Sequence, residues 1–192
     1  MPKKALKKVP KKKKNTVPSL DYLASALKKQ SKESLVKMLM EIASSDRAMQ
    51  RKFEDELGVH APDEQIIPQT RQAIADATFF DEVDYNTNFD YDSRAYGLVE
   101  RNLAKLVDKN AWVDVMHLSL ELMREGSSQA EASDEAEMTS DIEDCLKPVI
   151  KAIASANLPY EIVIDWCDKM EIADKIGCIC DREINALRKS RS

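Results

Sequence analysis

The residues of this chain best suited to chemistry are eight lysines near its amino terminus. They lie within residues 1–14, a stretch without any acidic side chain, and they are Lys3, Lys4, Lys7, Lys8, Lys11, Lys12, Lys13 and Lys14. Such a strip of charge can neutralise several phosphates and release their counterions, which favours sequence-independent binding to DNA or RNA. The absence of arginine and aromatic residues argues against base readout or stacking. An acidic protein partner, a ribosome or membrane surface, an import signal and a solubilising tail are the alternatives.

Two acidic segments are the second candidate site, in this case for a basic protein partner. The first lies in residues 79–92, and the second, residues 131–144, contains seven acids and no base. Their candidate contact residues are Asp84, Asp90 and Asp92 in the first segment, and Asp134, Glu135 and Glu137 in the second. The alternative is a solvated turn with acids at a helix amino terminus, where they are electrostatically favourable.

The first acidic segment also resembles part of a calcium loop. Asp84, Asn86 and Asn88 stand at the alternating positions of an EF-hand. However, Phe89 occupies the position that requires glycine, and Ala95 occupies that of the bidentate glutamate. We therefore predict no metal at this segment.

The cysteines and histidines do not form a recognisable catalytic or metal motif. The four cysteines lie at positions 145, 167, 178 and 180, where Cys167 and Cys180 fall in apolar stripes typical of small core residues. His117 lies between apolar positions of a predicted helix, which favours a packed histidine. Because no nucleophile elbow, phosphate loop or histidine pair occurs, we predict no catalytic residues, no cofactor and no enzyme activity.

Composition predicts a helical, intracellular protein. The chain has 192 residues with only 4 glycines, 6% aromatic residues and 33% charged residues, which favours helices over a sheet. No signal peptide or membrane span is evident, so free thiols and a cytoplasmic location are expected, with nucleoid or nuclear association left open. After the eight lysines, 21 basic and 34 acidic side chains remain, a net charge of −13.

The periodicity of apolar residues predicts a series of helices organised around a hairpin at residues 93–126. Its second helix has two adjacent apolar stripes, which predicts burial from two sides, and Gly126 is expected to end it. A polar linker should follow, and then a helix that Pro148 kinks or splits. Before the hairpin, Ser31 and Ser45 are expected to cap two helices, the first of which turns Leu35, Met38, Leu39 and Ile42 inward. Another helix is expected over residues 69–78.

Two parts of the chain show weak internal sequence similarity. Residues 35–58 and 103–126 both span 24 residues and share five residues at matching positions, including Leu35 with Leu103 and Gly58 with Gly126. The shared order of helix, polar corner, helix and glycine is typical of helical repeats.

Two segments, SKESLVKMLMEIASSDRAMQRKFEDEL (residues 31–57) and SDEAEMTSDIEDCLKPVIKAIASANLPYEIVIDWCDKMEIAD (residues 133–174), carry a family resemblance. They resemble the helical-repeat regions that follow the zinc motif in bacterial SWIM zinc-finger proteins, and related bacterial helical proteins. The zinc motif itself, Cys-x-Cys followed later by Cys-x-His, is absent. Cys178 and Cys180 have the first spacing, but no cysteine or histidine follows them. The zinc or DNA role that this motif confers is therefore not carried over, and the resemblance implies a helical-repeat scaffold of unassigned function.

Together these patterns predict an all-α chain. We expect a disordered tail at residues 1–17 and one domain at residues 18–189, in which antiparallel helical hairpins stack as a short α-solenoid of the TPR or HEAT kind. The expected function is a non-catalytic scaffold for a protein partner, with the lysine tail as an electrostatic tether. The alternative is an accessory protein that binds nucleic acid through the tail. The sequence leaves the oligomeric state open.

Overall fold

The computed structural model describes residues 20–59, 62–79, 92–133 and 137–191, which are helical throughout apart from short connections. The helices are α1 (Asp21–Leu27), α2 (Lys32–Ser45), α3 (Arg47–Leu57), α4 (Ile66–Ala77), α5 (Ser93–Asp108), α6 (Trp112–Ser133), α7 (Glu137–Ser155), α8 (Tyr160–Ala173) and α9 (Asp181–Arg191). No strand occurs in the described ranges, and the all-α prediction is confirmed. The described residues divide into two compact units, one within residues 1–42 and the other within residues 43–192, and this division falls inside the predicted domain.

The described part of the first unit consists of α1 and most of α2. Ser31 caps α2 as predicted, since the backbone N–H of Ser34 donates to Ser31 Oγ at 3.1 Å. The predicted inward face of α2 is wrong. Leu35 is only half-buried, and Met38, Leu39 and Ile42 are 41–47% exposed. Neither α1 nor α2 has a buried residue, because two such short helices cannot build a core between them.

In the second unit, the helices from α4 onwards alternate between two layers. The helix α6 packs on α4 and α8, its neighbours in one layer, and α7 packs on α5 and α9, its neighbours in the other. The neighbours α4 and α6 are parallel: α6 contacts α4 from Glu121 to Arg71 (3.3 Å) and again, further along both helices, from Gln129 to the carbonyl of Ala77 (3.0 Å). This arrangement is typical of stacked helical pairs, whereas a repeat solenoid stays a prediction.

The predicted hairpin is formed by α5 and α6. Its corner is Asn110, whose φ of 55° is left-handed, a conformation that asparagine tolerates better than most residues. Both apolar stripes of α6 are covered, because Val115, Leu118, Leu122 and Met123 are fully buried. The prediction that this helix is covered from two sides is therefore confirmed.

The end of α6 differs from the prediction. Gly126 does not end the helix, which continues to Ser133 and includes most of the predicted polar linker. A Cβ at Gly126 would lie 2.7 Å from Ile142 Cδ1 and 3.7 Å from Tyr96 Oη, so the glycine allows α7 and α5 to approach closely. The helix continues because its polar side chains after Gly126 are used inside the fold, as described below.

Other helix boundaries also shift for local reasons. Asp46, rather than Ser45, caps α3, since its side chain accepts from the backbone N–H of Met49 at 3.0 Å. The helix α4 begins at Ile66, with Pro68 in its first turn, where a missing N–H costs no helical hydrogen bond. The helix α7 runs unbroken through Pro148, so the predicted split does not occur. The adjacent Val149 is buried, and such packing offsets the hydrogen bond lost at the proline.

Candidate partner-binding surfaces

Most residues predicted to contact partners lie outside the described residues. This applies to the eight lysines from Lys3 to Lys14, to Asp84 and Asp90, and to Asp134 and Glu135. Glu137 is the first residue of α7. Among the predicted acidic contacts, Asp92 is the one whose side chain is described, and it is engaged inside the fold.

Asp92 belongs to an ion-pair cluster that joins α3, α4 and α5. The Arg51 side chain, which is 7% exposed, donates to Asp76 Oδ2 at 2.7 Å and to Asp92 Oδ2. Arg47 also reaches Asp76, at 3.0 Å, while Asp92 Oδ1 accepts from the backbone N–H of Ala95 and caps α5. Burial by itself lowers the pKa of Arg51, but its hydrogen bonds and charge interactions with Asp76 and Asp92 outweigh burial and raise the pKa. The cluster therefore fixes three helices through a permanent positive charge.

A cavity of about 140 Å³ lies beside this cluster. Its lining combines Arg47, Gln50, Arg51 and Glu54 of α3 with Gln69, Gln72 and Ala73 of α4 and Leu98 of α5. Ligand pockets usually have volumes of about 300 Å³ or more, so this space suits a few waters rather than a substrate.

A second concavity is an open groove between α7 and α9. Its volume is about 290 Å³, and its lining residues are Lys147, Ile150, Lys151 and Ala154 of α7 with Glu183, Ala186, Leu187 and Ser190 of α9. The floor is apolar, because Ile150 and Leu187 are buried there. Lys147 on the rim is already paired with Glu143 at 2.7 Å. The groove has an apolar floor and a charged rim, but no cluster of catalytic groups.

Ser127 and Gln129 are two buried polar side chains of α6 that no sequence pattern indicates. Gln129 donates to the carbonyls of Ala77 and Phe79 (3.0 and 3.2 Å) and accepts from Tyr96 Oη (3.1 Å). Ser127 donates to the carbonyl of Ala173 at 2.9 Å and accepts from the backbone N–H of Lys175 at 3.1 Å. These residues satisfy backbone groups at the ends of α4 and α8, which is a structural role. The small polar residues after Gly126 have the composition of a linker. Only their hydrogen bonds to the ends of the neighbouring helices distinguish this buried part of α6 from a linker.

Large apolar side chains are exposed on α1 and α2. We define the α1–α2 apolar surface by seven residues, which are Leu20, Tyr22, Leu23, Leu27, Val36, Met38 and Leu39. They are between 38% and 73% exposed. Single exposed apolar residues are common on soluble proteins, whereas these seven lie within twenty consecutive residues.

The thiols and histidines do not form a reactive site in the described part of the chain. Burial, followed by the nearby charge of Glu100, raises the pKa of Cys145 to about 12. Burial and Glu143 raise that of Cys180 to about 12 as well, and burial raises the pKa of Cys167. These three thiols are inert at neutral pH, whereas Cys178 is exposed. His117 is exposed, so its predicted packing is wrong, because at 100° per residue it lies beside the exposed Val113, on the face of α6 opposite the two adjacent buried stripes.

The described residues contain no group of three or more histidine, cysteine or acidic side chains placed to hold a metal ion. No helix among them has the length and apolar character needed to cross a bilayer.

None of the protein-family models, curated proteins or solved structures compared with this chain matches it. The resemblance to the helical regions of SWIM zinc-finger proteins stays a prediction.

Proposed function

We propose that this chain is a non-catalytic protein-interaction scaffold that contacts its partner through the α1–α2 apolar surface. The observation that carries the proposal is the absence of any buried residue in α1 and α2 together with seven exposed large apolar side chains. Removing such side chains from water contributes roughly 1.5–3 kcal/mol for each one fully buried. A protein partner that covers these side chains would therefore be bound favourably.

The helices of residues 43–192 suit the scaffold part of this role. Their core is continuous from α4 to α9, and Trp166 of α8 donates to the carbonyl of Met116 of α6 at 3.1 Å. Stacked helical pairs commonly serve as rigid binding proteins, and we propose that α4–α5, α6–α7 and α8–α9 are three such repeats. The described cavities are small or open, which favours a protein ligand over a small substrate.

The test is capture of partners by three matched forms of the full chain. Leu39→Glu places a charge in the α1–α2 apolar surface and keeps a good helix former. Ile172→Glu is the control, because it introduces the same charge outside that surface, at an 82% exposed residue of α8. We expect the wild-type protein and Ile172→Glu to retain a protein partner in cross-linked cell extracts and Leu39→Glu to lose it. Equal capture by all three forms contradicts the proposal.

A second candidate function has its own observation, the eight lysines and no acids in residues 1–14. In this alternative the tail binds DNA or RNA phosphates non-specifically, and affinity falls steeply with salt. The opposing charge of −13 on the rest of the chain limits that affinity. A salt titration of DNA and RNA binding with intact and tail-deleted protein tests it. Absence of binding at low salt, or unchanged binding after deletion, excludes this alternative.

A further inference from the structure

The helix α3 contributes almost no apolar surface to the fold of residues 43–192. Its one buried residue is Arg51. Its half-buried apolar side chains, Met49 and Phe53, neither belong to the hydrophobic core of the described residues nor pack against it, whereas α4 to α9 all supply side chains to that core. Because burial of apolar surface is the main force that holds helices together, α3 must be held in place by something else.

Ion pairs take the place of apolar contacts. Arg51 donates to Asp76 of α4 at 2.7 Å and to Asp92, the residue that caps α5. Asp55 accepts from Arg101 of α5 at 2.7 Å, and these two side chains are 40% and 41% exposed. Among the described residues, every hydrogen bond from α3 to another helix belongs to such a pair. Exposed pairs contribute little to stability and are screened by salt, so part of this attachment is weak.

The space between α3 and its neighbours is incompletely filled. The cavity of about 140 Å³ has α3 on one side and Gln69, Gln72, Ala73 and Leu98 of α4 and α5 on the other. The Nε atom of Arg51 is buried but makes no hydrogen bond with a described residue. Protein interiors are normally close-packed, with their polar groups paired. The helix α3 is therefore held less tightly than the helices of the core.

We propose that α3 opens as a unit from α4 and α5 while the helices from α4 onwards stay folded. The inference is independent of the proposed function, since it does not involve the α1–α2 apolar surface. A helix of 11 residues is marginal in water by itself, so α3 unwinds once it leaves its neighbours. The open form presents the carboxylates of Asp76 and Asp92, which Arg51 neutralises in the closed form. Opening of α3 thus makes this surface of α4 and α5 negatively charged.

Hydrogen exchange of the full chain under native conditions tests this opening, because it measures the stability of each helix separately. We expect the amides of residues 51–57 to be protected at least about 100-fold less than those of residues 115–123 in α6, which open only with the whole unit. Raising the NaCl concentration from about 0.05 to 0.5 M should lower the protection of residues 51–57 about 3- to 10-fold, since salt screens the ion pairs. It should not lower the protection of residues 115–123.

Asp55→Asn and Glu56→Gln are matched variants, because each removes one carboxylate from the last turn of α3. Asp55 pairs with Arg101 of α5, whereas Glu56 lies 4.0 Å from Lys52 within α3 itself. Asp55→Asn should therefore lower the protection of residues 51–57 about 2- to 5-fold relative to Glu56→Gln. In Arg51→Met, which removes the buried ion pairs, residues 51–57 should lose nearly all protection while residues 115–123 stay protected.

Three results would each overturn the independent opening of α3. The first is equal protection of residues 51–57 and 115–123, which would mean that α3 unfolds only with the whole unit. The second is protection of residues 51–57 that salt does not lower, and the third is an equal effect of Asp55→Asn and Glu56→Gln. The proposed function is tested separately by partner capture with Leu39→Glu, and none of these results bears on it.

Discussion

Residues 35–58 and 103–126 share a sequence pattern but differ in how their side chains are used. Leu103 is fully buried, whereas its counterpart Leu35 is half-buried and the apolar residues beside it are exposed. The second stretch lies between helices on several sides, and α6 contacts α4, α5, α7 and α8. Apolar spacing thus decides which face of a helix is apolar, and neighbouring helices decide whether that face is buried.

The two stretches also differ in what they bury on their second helices. Arg51 of α3 corresponds to Ser119 of α6, and both side chains are buried. Arg51 is the one buried residue of α3, and it is held by Asp76 and Asp92. Ser119 donates to the carbonyl of Val115 within its own helix, where most of the other buried side chains of residues 112–123 are apolar. The helix α3 is therefore attached through charge, and α6 through its apolar side chains.

The strongest test of this difference is a pair of matched truncations. Leu103→Ala should lower the free energy of unfolding by about 3–5 kcal/mol, since it leaves a cavity in a closed core. Leu35→Ala should lower it by less than about 1 kcal/mol, since that side chain keeps contact with water. Urea unfolding followed by circular dichroism measures both, and tryptophan fluorescence follows the 43–192 unit alone, because Trp112 and Trp166 both lie there. Equal losses from the two truncations would remove the distinction.

The next test concerns the charged attachment of α3. Arg51→Met should cost about 3 kcal/mol, since it leaves the carboxylates of Asp76 and Asp92 without their main counter-ion. Lys52→Met is the matched control, because Lys52 lies at the surface 4.0 Å from Glu56, and it should change stability by less than about 0.5 kcal/mol. Adding Asp92→Asn to Arg51→Met should recover part of the loss. If Arg51→Met is as stable as Lys52→Met, the cluster does not hold α3 in place.

The sequence predicted well what depends on local spacing. It predicted the all-α class, the α5–α6 hairpin and the doubly buried face of α6. Each follows from the periodicity of apolar residues. It failed for α2, whose apolar face was expected to be buried, because burial depends on a partner that spacing does not specify.

The candidate sites were less predictable for a related reason. Asp92 was expected to contact a partner, but its ion pair with Arg51 joins residues 41 positions apart in the chain. Ser127 and Gln129 resembled a linker, and their partners in other helices lie 33 to 52 residues away. Polar pairs between distant positions produce no periodic pattern in the sequence. A sequence pattern therefore cannot distinguish a buried polar side chain from a solvated one.

The polar end of α6 gives a third test, of moderate size. Gln129→Ala should cost about 2 kcal/mol, since it leaves the buried carbonyl of Ala77 and the hydroxyl of Tyr96 with fewer hydrogen bonds. The exposed neighbour Ser128, which donates to the carbonyl of Arg124 in its own helix, is the control. Ser128→Ala should change stability by less than about 0.5 kcal/mol in the same urea titration. A cost for Ser128→Ala as large as that for Gln129→Ala would contradict a specific role for Gln129.

The smallest effects are expected at the two glycines that end the matched stretches, and they have different causes. Gly58 ends α3 with a φ of 63° and has open space around it, so alanine there is limited only by its backbone. Gly126 is helical, and the space for a Cβ is taken by Ile142. Each alanine should cost about 1 kcal/mol: a left-handed alanine is strained, while at Gly126 crowding outweighs the better helix propensity.

Second substitutions separate these causes although the net costs are similar. Gly58→Asn should be nearly neutral, since asparagine tolerates the left-handed conformation, whereas Gly126→Asn should cost more than Gly126→Ala because it is larger. Ile142→Val removes the methyl group nearest to Gly126, so it should cost less in the Gly126→Ala background than in the wild-type protein, with no such coupling to Gly58→Ala. Coupling energies from urea unfolding of the two double-mutant cycles measure this. Equal coupling energies in the two cycles would mean that Gly58 and Gly126 serve the same purpose, as expected of a true repeat. The difference between residues 35–58 and 103–126 would then not extend to their final glycines.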